Sequence, residues 1–281
     1  MIAKHQTKMK TSHKSTHPWS WILILVCMTG ISSCQNTNDG FNNATATAQG
    51  ERAIRMATEM ASYAEATRSA LNVNLQATEG ALQSLFDSAA RWPVLFEDSF
   101  DQVDEAKDWP LGSQDDPLAS ISWSITGGKY DWEAEAKDSF VWWAYPTLDP
   151  ASDFYLAASA RQISGPGTGE YGLVYRMTEN DDYYLFELSA DGQFAVFLND
   201  ANGWETLLDW QDSDAIQLDG ENQMAVFAQG EQFYFFINGQ KVADLYDDRL
   251  AEGKVGLLIG LSNEGDTGKW EFDNFEYRSM E

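Results

Sequence analysis

Residues 183–199 read YYLFELSADGQFAVFLN. Two aromatic-rich runs, Tyr183 to Ser189 and Gln193 to Asn199, flank Asp191-Gly192, a dipeptide that supplies the positive φ of a tight hairpin turn. Side chains alternate across a strand, so Tyr184, Phe186 and Leu188 share one face while Tyr183, Leu185 and Glu187 share the other. The stretch predicts an antiparallel hairpin, and if the Tyr184 face is the core, Glu187 points away from it.

The same pattern recurs from Val94 onward. Residues 121–125 and 129–135 flank Gly127-Gly128, and residues 232–237 and 241–246 flank Asn238-Gly239. Short runs rich in aromatic and β-branched residues, broken by Gly, Asn and Asp at roughly 8–12-residue spacing, are the mark of a sandwich. Residues 93–281 are therefore predicted to be all-β, a single antiparallel β-sandwich long enough to bury one sizeable core. Its ends match as well. VLFEDSF (residues 94–100) opens it and WEFDNFEY (residues 270–277) closes it, both strand-like.

Upstream, residues 51–92 switch to Ala, Glu, Leu, Met and Arg, with Ile54, Ala57, Ala61, Ala64, Arg68, Leu71, Leu75, Thr78, Leu82 and Leu85 at alternating spacings of three and four. That is a heptad seam on one long N-terminal helix. Pro93 ends it, because proline disfavours helix at the residue before it. The seam suits a homo-oligomer formed through residues 51–90 and suits equally a helix packed on the following domain. Residues 34–50 (CQNTNDGFNNATATAQG) carry almost no bulky apolar side chain and are predicted to be a flexible tether.

Residues 1–33 have Lys4, Lys8, Lys10 and Lys14 with no acidic residue, then the apolar run WSWILILVCMTG from Trp19 to Gly30. A basic region, a short apolar core and small residues before a cleavage point describe an export signal. Twelve apolar residues at about 1.5 Å each fall short of a ~30 Å hydrocarbon core. The ISSC end at Cys34 resembles the lipobox of bacterial lipoproteins, which implies a lipidated cysteine and a mature chain tethered outside the cytoplasmic membrane.

All three histidines (His5, His13, His17) and Cys27 lie in that segment, and Cys34 would carry the lipid. The mature chain then lacks the groups for Ser-His-Asp or Cys-His catalysis and for His- or Cys-ligated zinc. Four of the 18 basic residues leave with the signal, so 14 remain against 44 acidic ones, a formal net of −30. Such a chain repels nucleic acid and anionic headgroups, so no nucleic-acid partner is expected. Hard cations such as calcium remain compatible with oxygen ligands.

Further residues carry a resemblance. Phe96-x-Asp98-x-Phe100, the GGKY hairpin, Asp153-Phe154, Tyr171 to Arg176 (YGLVYR), Asp182 to Phe186 (DYYLF), Phe235 to Gly239, Lys254 to Leu257 and Phe272 to Phe275 occur in that order. This series is similar to the concanavalin A-like lectin/glucanase superfamily, particularly its laminin G-like members and the 3-keto-disaccharide hydrolase domain family. The resemblance covers about Val94 to Tyr277 and implies a jelly roll of two antiparallel sheets with a concave face available to glycan. The Glu-x-Asp-x-x-Glu motif of retaining glucanases is missing; the nearest string, ENDDYY, ends in Tyr184.

Candidate ligand-binding residues follow from chemistry. Sugar rings stack on aromatic faces, and Trp142, Trp143 and Tyr145 form the densest aromatic cluster, with one of the two tryptophans expected on a surface. Glu187, with Arg176 on the preceding strand, is a candidate polar pair. Glu133 and Glu135 share a strand face as a candidate carboxylate pair. Asp98 and Asp273, in the two terminal strands, are candidate ligands of a structural Ca²⁺. The expected function is a surface-anchored, non-catalytic module that binds carbohydrate or a cell-surface partner. The alternatives are a carboxylate-dependent enzyme resembling 3-keto-disaccharide hydrolases, and a structural scaffold that oligomerises through its helix.

Overall fold

The computed structural model describes residues 41–104 and 107–280. The export signal and Cys34 therefore lie outside the described residues. The described chain forms two compact units, a helical one up to Gln83 and a β unit from Ser84.

Helix α1 spans Phe41–Ala89. It starts ten residues before the expected Glu51, so the tether prediction for residues 34–50 does not hold from residue 41 onward. Ala44, Ala46 and Ala48 account for this, since alanine is the strongest helix former and alternates there with tolerable polar residues. Thr58 and Thr67 are accommodated by donating to the carbonyls one turn back, Ile54 O and Tyr63 O. Ile54 on the seam, and Met56, Met60 and Tyr63 beside it, are exposed. No helix among the described residues is long and apolar enough to cross a membrane. Past Ala89 the chain turns through Trp92, whose buried ring stacks on Phe227 at 5.1 Å.

Fifteen strands make two antiparallel sheets, an antiparallel jelly-roll sandwich. The nine-stranded sheet holds β1 (Val94–Asp98), β2 (Gly112–Asp115), β3 (Ala119–Thr126), β4 (Lys129–Ala136), β6 (Phe154–Ser164), β11 (Asn222–Gln229), β12 (Gln232–Ile237), β13 (Gln240–Tyr246) and β15 (Thr267–Ser279). Its order is β13, β12, β11, β6, β15, β4, β3, β2, with β1 also on β15. The six-stranded sheet runs β10 (Gly203–Asp212), β9 (Gln193–Asp200), β8 (Tyr183–Ser189), β7 (Glu170–Met177), β14 (Lys254–Leu261) and β5 (Phe140–Ala144).

The expected terminal pairing is present: Phe96 faces Tyr277 and Asp98 faces Phe275. The hairpins turn where the sequence placed them; Asn238 and Gly239 take φ of 51° and 76° between Ile237 and Gln240, a twist that two-residue turns need to match their strands. Between the sheets lies the main core. Phe186 meets Phe235 at 5.0 Å, Tyr184 meets Phe233 at 5.3 Å and Trp123 meets Trp142 at 6.4 Å, each pair joining the two layers. Fully burying one such side chain contributes about 1.5–3 kcal/mol.

One polar network closes an end of this core. The Tyr184 hydroxyl donates to Asp247 Oδ1 at 2.5 Å and accepts from Leu250 N at 3.2 Å, while Arg249 Nε donates to Asp247 Oδ2 at 2.9 Å. Burial pushes the Asp247 carboxyl up, but donation from Arg249 and Tyr184 outweighs it and holds the group below its usual value. A carboxylate lowered by folding contributes stability above its unfolded pKa of about 3.9, and that contribution is lost as pH falls through the folded value. Urea unfolding from pH 7 down to pH 3 is expected to show a flatter acid limb in Asp247→Asn than in the unaltered chain; superimposable acid limbs would refute the assignment.

Candidate functional site

The alternation predicted for β8 holds throughout the six-stranded sheet. Tyr184, Phe186 and Leu188 enter the main core, while Tyr183 and Leu185 join a second cluster on the outer face with Val141, Trp143, Val174, Ala195, Phe197 and Leu258. Register then fixes who stands beside whom. One transverse row reads Trp143, Leu258, Gly172, Glu187, Ala195 across β5, β14, β7, β8 and β9. The next row reads Val141, Gly260, Glu170, Ser189. Toward the β7–β8 turn, Tyr183, Asn199 and Trp204 face one another on β8, β9 and β10.

Small residues hold the middle of these rows, so the carboxylates of Glu170 and Glu187 stand over a floor with little side chain of its own. Gly260 is needed for this: a Cβ there would overlap Glu170 Oε2. Gly172 serves a tighter contact, because a Cβ there would overlap the Phe186 carbonyl and lie 3.0 Å from Glu187 Cα. Glu187 is 0 % exposed. Glu170 sits opposite Ser189, two positions along from Glu187, and such diagonal neighbours on one sheet face lie about 7–8 Å apart.

Aromatic rings continue the face. Trp143 and Tyr183 come from strands three spacings apart, about 14 Å, yet their ring centroids are 4.8 Å apart. Both rings must therefore lean across the sheet toward each other. Tyr183 meets Trp204 at 5.9 Å, Trp204 meets Phe197 at 6.4 Å and Phe197 meets Trp210 at 5.9 Å, so five rings form one chain. Burial, and then the charges of Glu187 and Asp181, push the Tyr183 phenol far above its usual range, so it stays a neutral hydroxyl at any working pH.

Two polar atoms in this region have no hydrogen-bond partner among the described residues: the Trp204 Nε1 donor and the Asn199 Oδ1 acceptor. Asn199 is 2 % exposed, and its Nδ2 donates to Asp181 O at 3.1 Å. At the rim Lys254 pairs with Glu179 at 2.7 Å and stands 5.2 Å over the Tyr145 ring. Beside β5 a cavity of about 280 Å³ is lined by Trp123, Trp142, Trp143, Tyr145, Gln114 and Asp181, among others.

The sequence-derived candidates are thus distributed unevenly. Trp142, Trp143 and Tyr145 do line one cavity, with Trp142 turned to the main core and Trp143 to the outer cluster. Neither tryptophan is exposed, contrary to the expectation that one would be, because the outer face has an apolar cluster of its own to receive Trp143.

Arg176 does not join Glu187. By alternation it would face outward with Glu170, Gly172 and Val174, but it takes φ 48° where the register with β14 shifts. This bulge sends the guanidinium to the core end, where it donates to Leu250 O and Ser152 O, both at 2.7 Å, and to Gly230 O, 4.6 Å from the Phe233 ring.

Asp98 and Asp273 do not converge on a shared ion site either. Asp98 accepts from Phe100 N at 2.8 Å and Trp109 Nε1 at 3.0 Å, with Lys107 at 3.3 Å. Asp273 pairs with Lys129 at 2.5 Å. Each carboxylate already has a lysine ammonium, and among the described residues no group of three or more His, Cys, Asp or Glu side chains could hold a metal. Glu133 and Glu135 are exposed on the outer face of the nine-stranded sheet, and Glu133 pairs with Lys269 at 3.0 Å.

Sequence reasoning passed over Glu170, Asn199 and Trp204. Alternation could have found Glu170, since Tyr171, Leu173 and Tyr175 read as the core face of the same strand.

No protein-family model matches this chain, and no curated protein sequence does. Among solved structures, a Bacillus subtilis protein of unknown function with a galectin-like fold aligns over 66% of this chain and 95% of its own, at 12% identity and TM-score 0.50. The carbohydrate-binding module CBM66 from Bacillus subtilis aligns over 56% of this chain and 91% of its own, at 18% identity and TM-score 0.46. The catalytic domain of an endo-1,3-beta-glucanase (laminarinase) from Thermotoga petrophila RKU-1 aligns over 67% and 98%, at 9% identity and TM-score 0.47. By fold, the β unit is a concanavalin A-like jelly roll.

Proposed function

We propose that this chain is a surface lipoprotein whose β unit binds glycan, without catalysis, on the outer face of the six-stranded sheet. One observation carries the reading: five contiguous rings from Trp143 to Trp210 lie beside a buried donor and a buried acceptor that lack protein partners. Pyranose rings offer C–H faces to aromatics and hydroxyls that both donate and accept, so one ligand class satisfies both features. In this reading Cys34 carries the lipid, the protein is extracytoplasmic, and α1, about 73 Å long at 1.5 Å per residue, spaces the β unit from the membrane. Its exposed seam would serve self-association through residues 51–90.

The test is a glycan array on the full chain, with calcium and with chelator, followed by titration of the best ligand. Trp143→Ala is expected to weaken binding by about thirtyfold or more, as truncating a buried aromatic anchor does. Unchanged affinity in that variant, or silence across the array, would overturn the proposal.

A second reading is glycoside processing, and it is favoured by Glu170 and Glu187. Their diagonal placement fits the ~5–9.5 Å separation of glycosidase carboxylate pairs. Release of new reducing ends during incubation with an array ligand, abolished by Glu187→Gln, would support this reading over simple binding.

A further inference from the structure

We infer that the ligand of this face bears protonated amines, an amino sugar rather than a neutral or acidic one; this rests on the glycan reading above. The outward positions of the six strands include Glu170 and Glu187 but no lysine or arginine apart from Lys254 at the rim. Two carboxylates one diagonal apart in a buried setting repel each other, and a ligand cation between them removes that cost.

A second, independent feature points the same way. Asn199 Oδ1 is a buried acceptor without a protein donor among the described residues, on the same face. An ammonium presents three donors and no acceptor, so it answers an acceptor-rich wall better than a hydroxyl does. The aromatic members of the site already tolerate a cation over a ring face, as Lys254 over Tyr145 shows. Trp204 Nε1, the remaining donor, is left for a sugar hydroxyl. An anionic sugar meets only repulsion here, in a chain of formal net charge −26.

The experiment is calorimetric titration of the full chain with two tetrasaccharides that share a backbone, one of glucosamine and one of N-acetylglucosamine, at low and high salt, with a pentalysine peptide alongside. The free-amine sugar is expected to bind about tenfold or more tightly, as charge-assisted hydrogen bonds do over neutral ones. That preference should shrink at high salt and approach unity in Glu187→Gln, whose near-ultraviolet dichroism must match the unaltered chain.

Equal binding of the two sugars overturns the amine inference and leaves the glycan reading intact. No binding to either sugar, with other glycans retained on the array, does the same. Pentalysine binding more tightly than glucosamine assigns the face to basic peptides and overturns the sugar. Silence toward every glycan removes both readings together.

Discussion

An Arg176→Met variant is expected to lose about 3–5 kcal/mol of folding stability, measured as the urea midpoint of the tryptophan fluorescence transition of the β unit. Arg176 is 1 % exposed and joins three separate loops and turns through the carbonyls of Ser152, Gly230 and Leu250. Methionine matches much of the side-chain length and keeps the contact with Phe233, but it donates nothing. Three carbonyls at the end of the sandwich would lose their charged donor, and a buried polar group left unpaired costs about 1–3 kcal/mol. Arg176→Lys should recover only part of the loss, since a single ammonium cannot reproduce the planar fork that reaches all three. A loss below about 1 kcal/mol for the methionine variant would mean that water replaces the guanidinium and that the bulge has another cause.

Gly172→Ala is expected to cost about 3 kcal/mol or more, although it adds one methyl group. The reason is what the methyl meets. It would overlap a backbone carbonyl of the neighbouring strand β8, and two central strands must separate to admit it. Gly260→Ala is the control in the same sheet: there the methyl meets the Glu170 carboxylate, the end of a flexible side chain that can swing aside. Its expected cost is about 1 kcal/mol or less, with a change in ligand affinity in place of a change in fold. Equal midpoints for the two variants would show that strand β8 yields as easily as a side chain does.

Much of the architecture could be read from local pattern. Tyr183 to Asn199 announced a hairpin because alternation and turn chemistry act within a few residues, and the same logic assigned Tyr184, Phe186 and Leu188 to the core. The pairing of β1 with β15 followed from matched strand-like ends. The helix was legible from its seam, though its start at Phe41 depended on alanine outweighing asparagine and threonine over one turn.

The candidate site was legible only in pieces. Trp142, Trp143 and Tyr145 are adjacent in sequence, and they reach one cavity because a strand edge carries them there together. Glu187 was placed on the correct face by alternation. Its neighbours were not, since register across four strands depends on turns and bulges spread over the chain, from Glu170 to Gly260.

The sequence by itself determined the fold class, the faces of the strands and the character of the surface charge, because periodicity, turn residues and composition are local or additive properties. Tertiary structure alone decided that Arg176 leaves Glu187, that Asp98 and Asp273 each take a lysine, and that Glu170 joins Glu187 over glycine. Those outcomes turn on one backbone bulge and on which strands become neighbours, and both arise from packing between segments far apart in the chain.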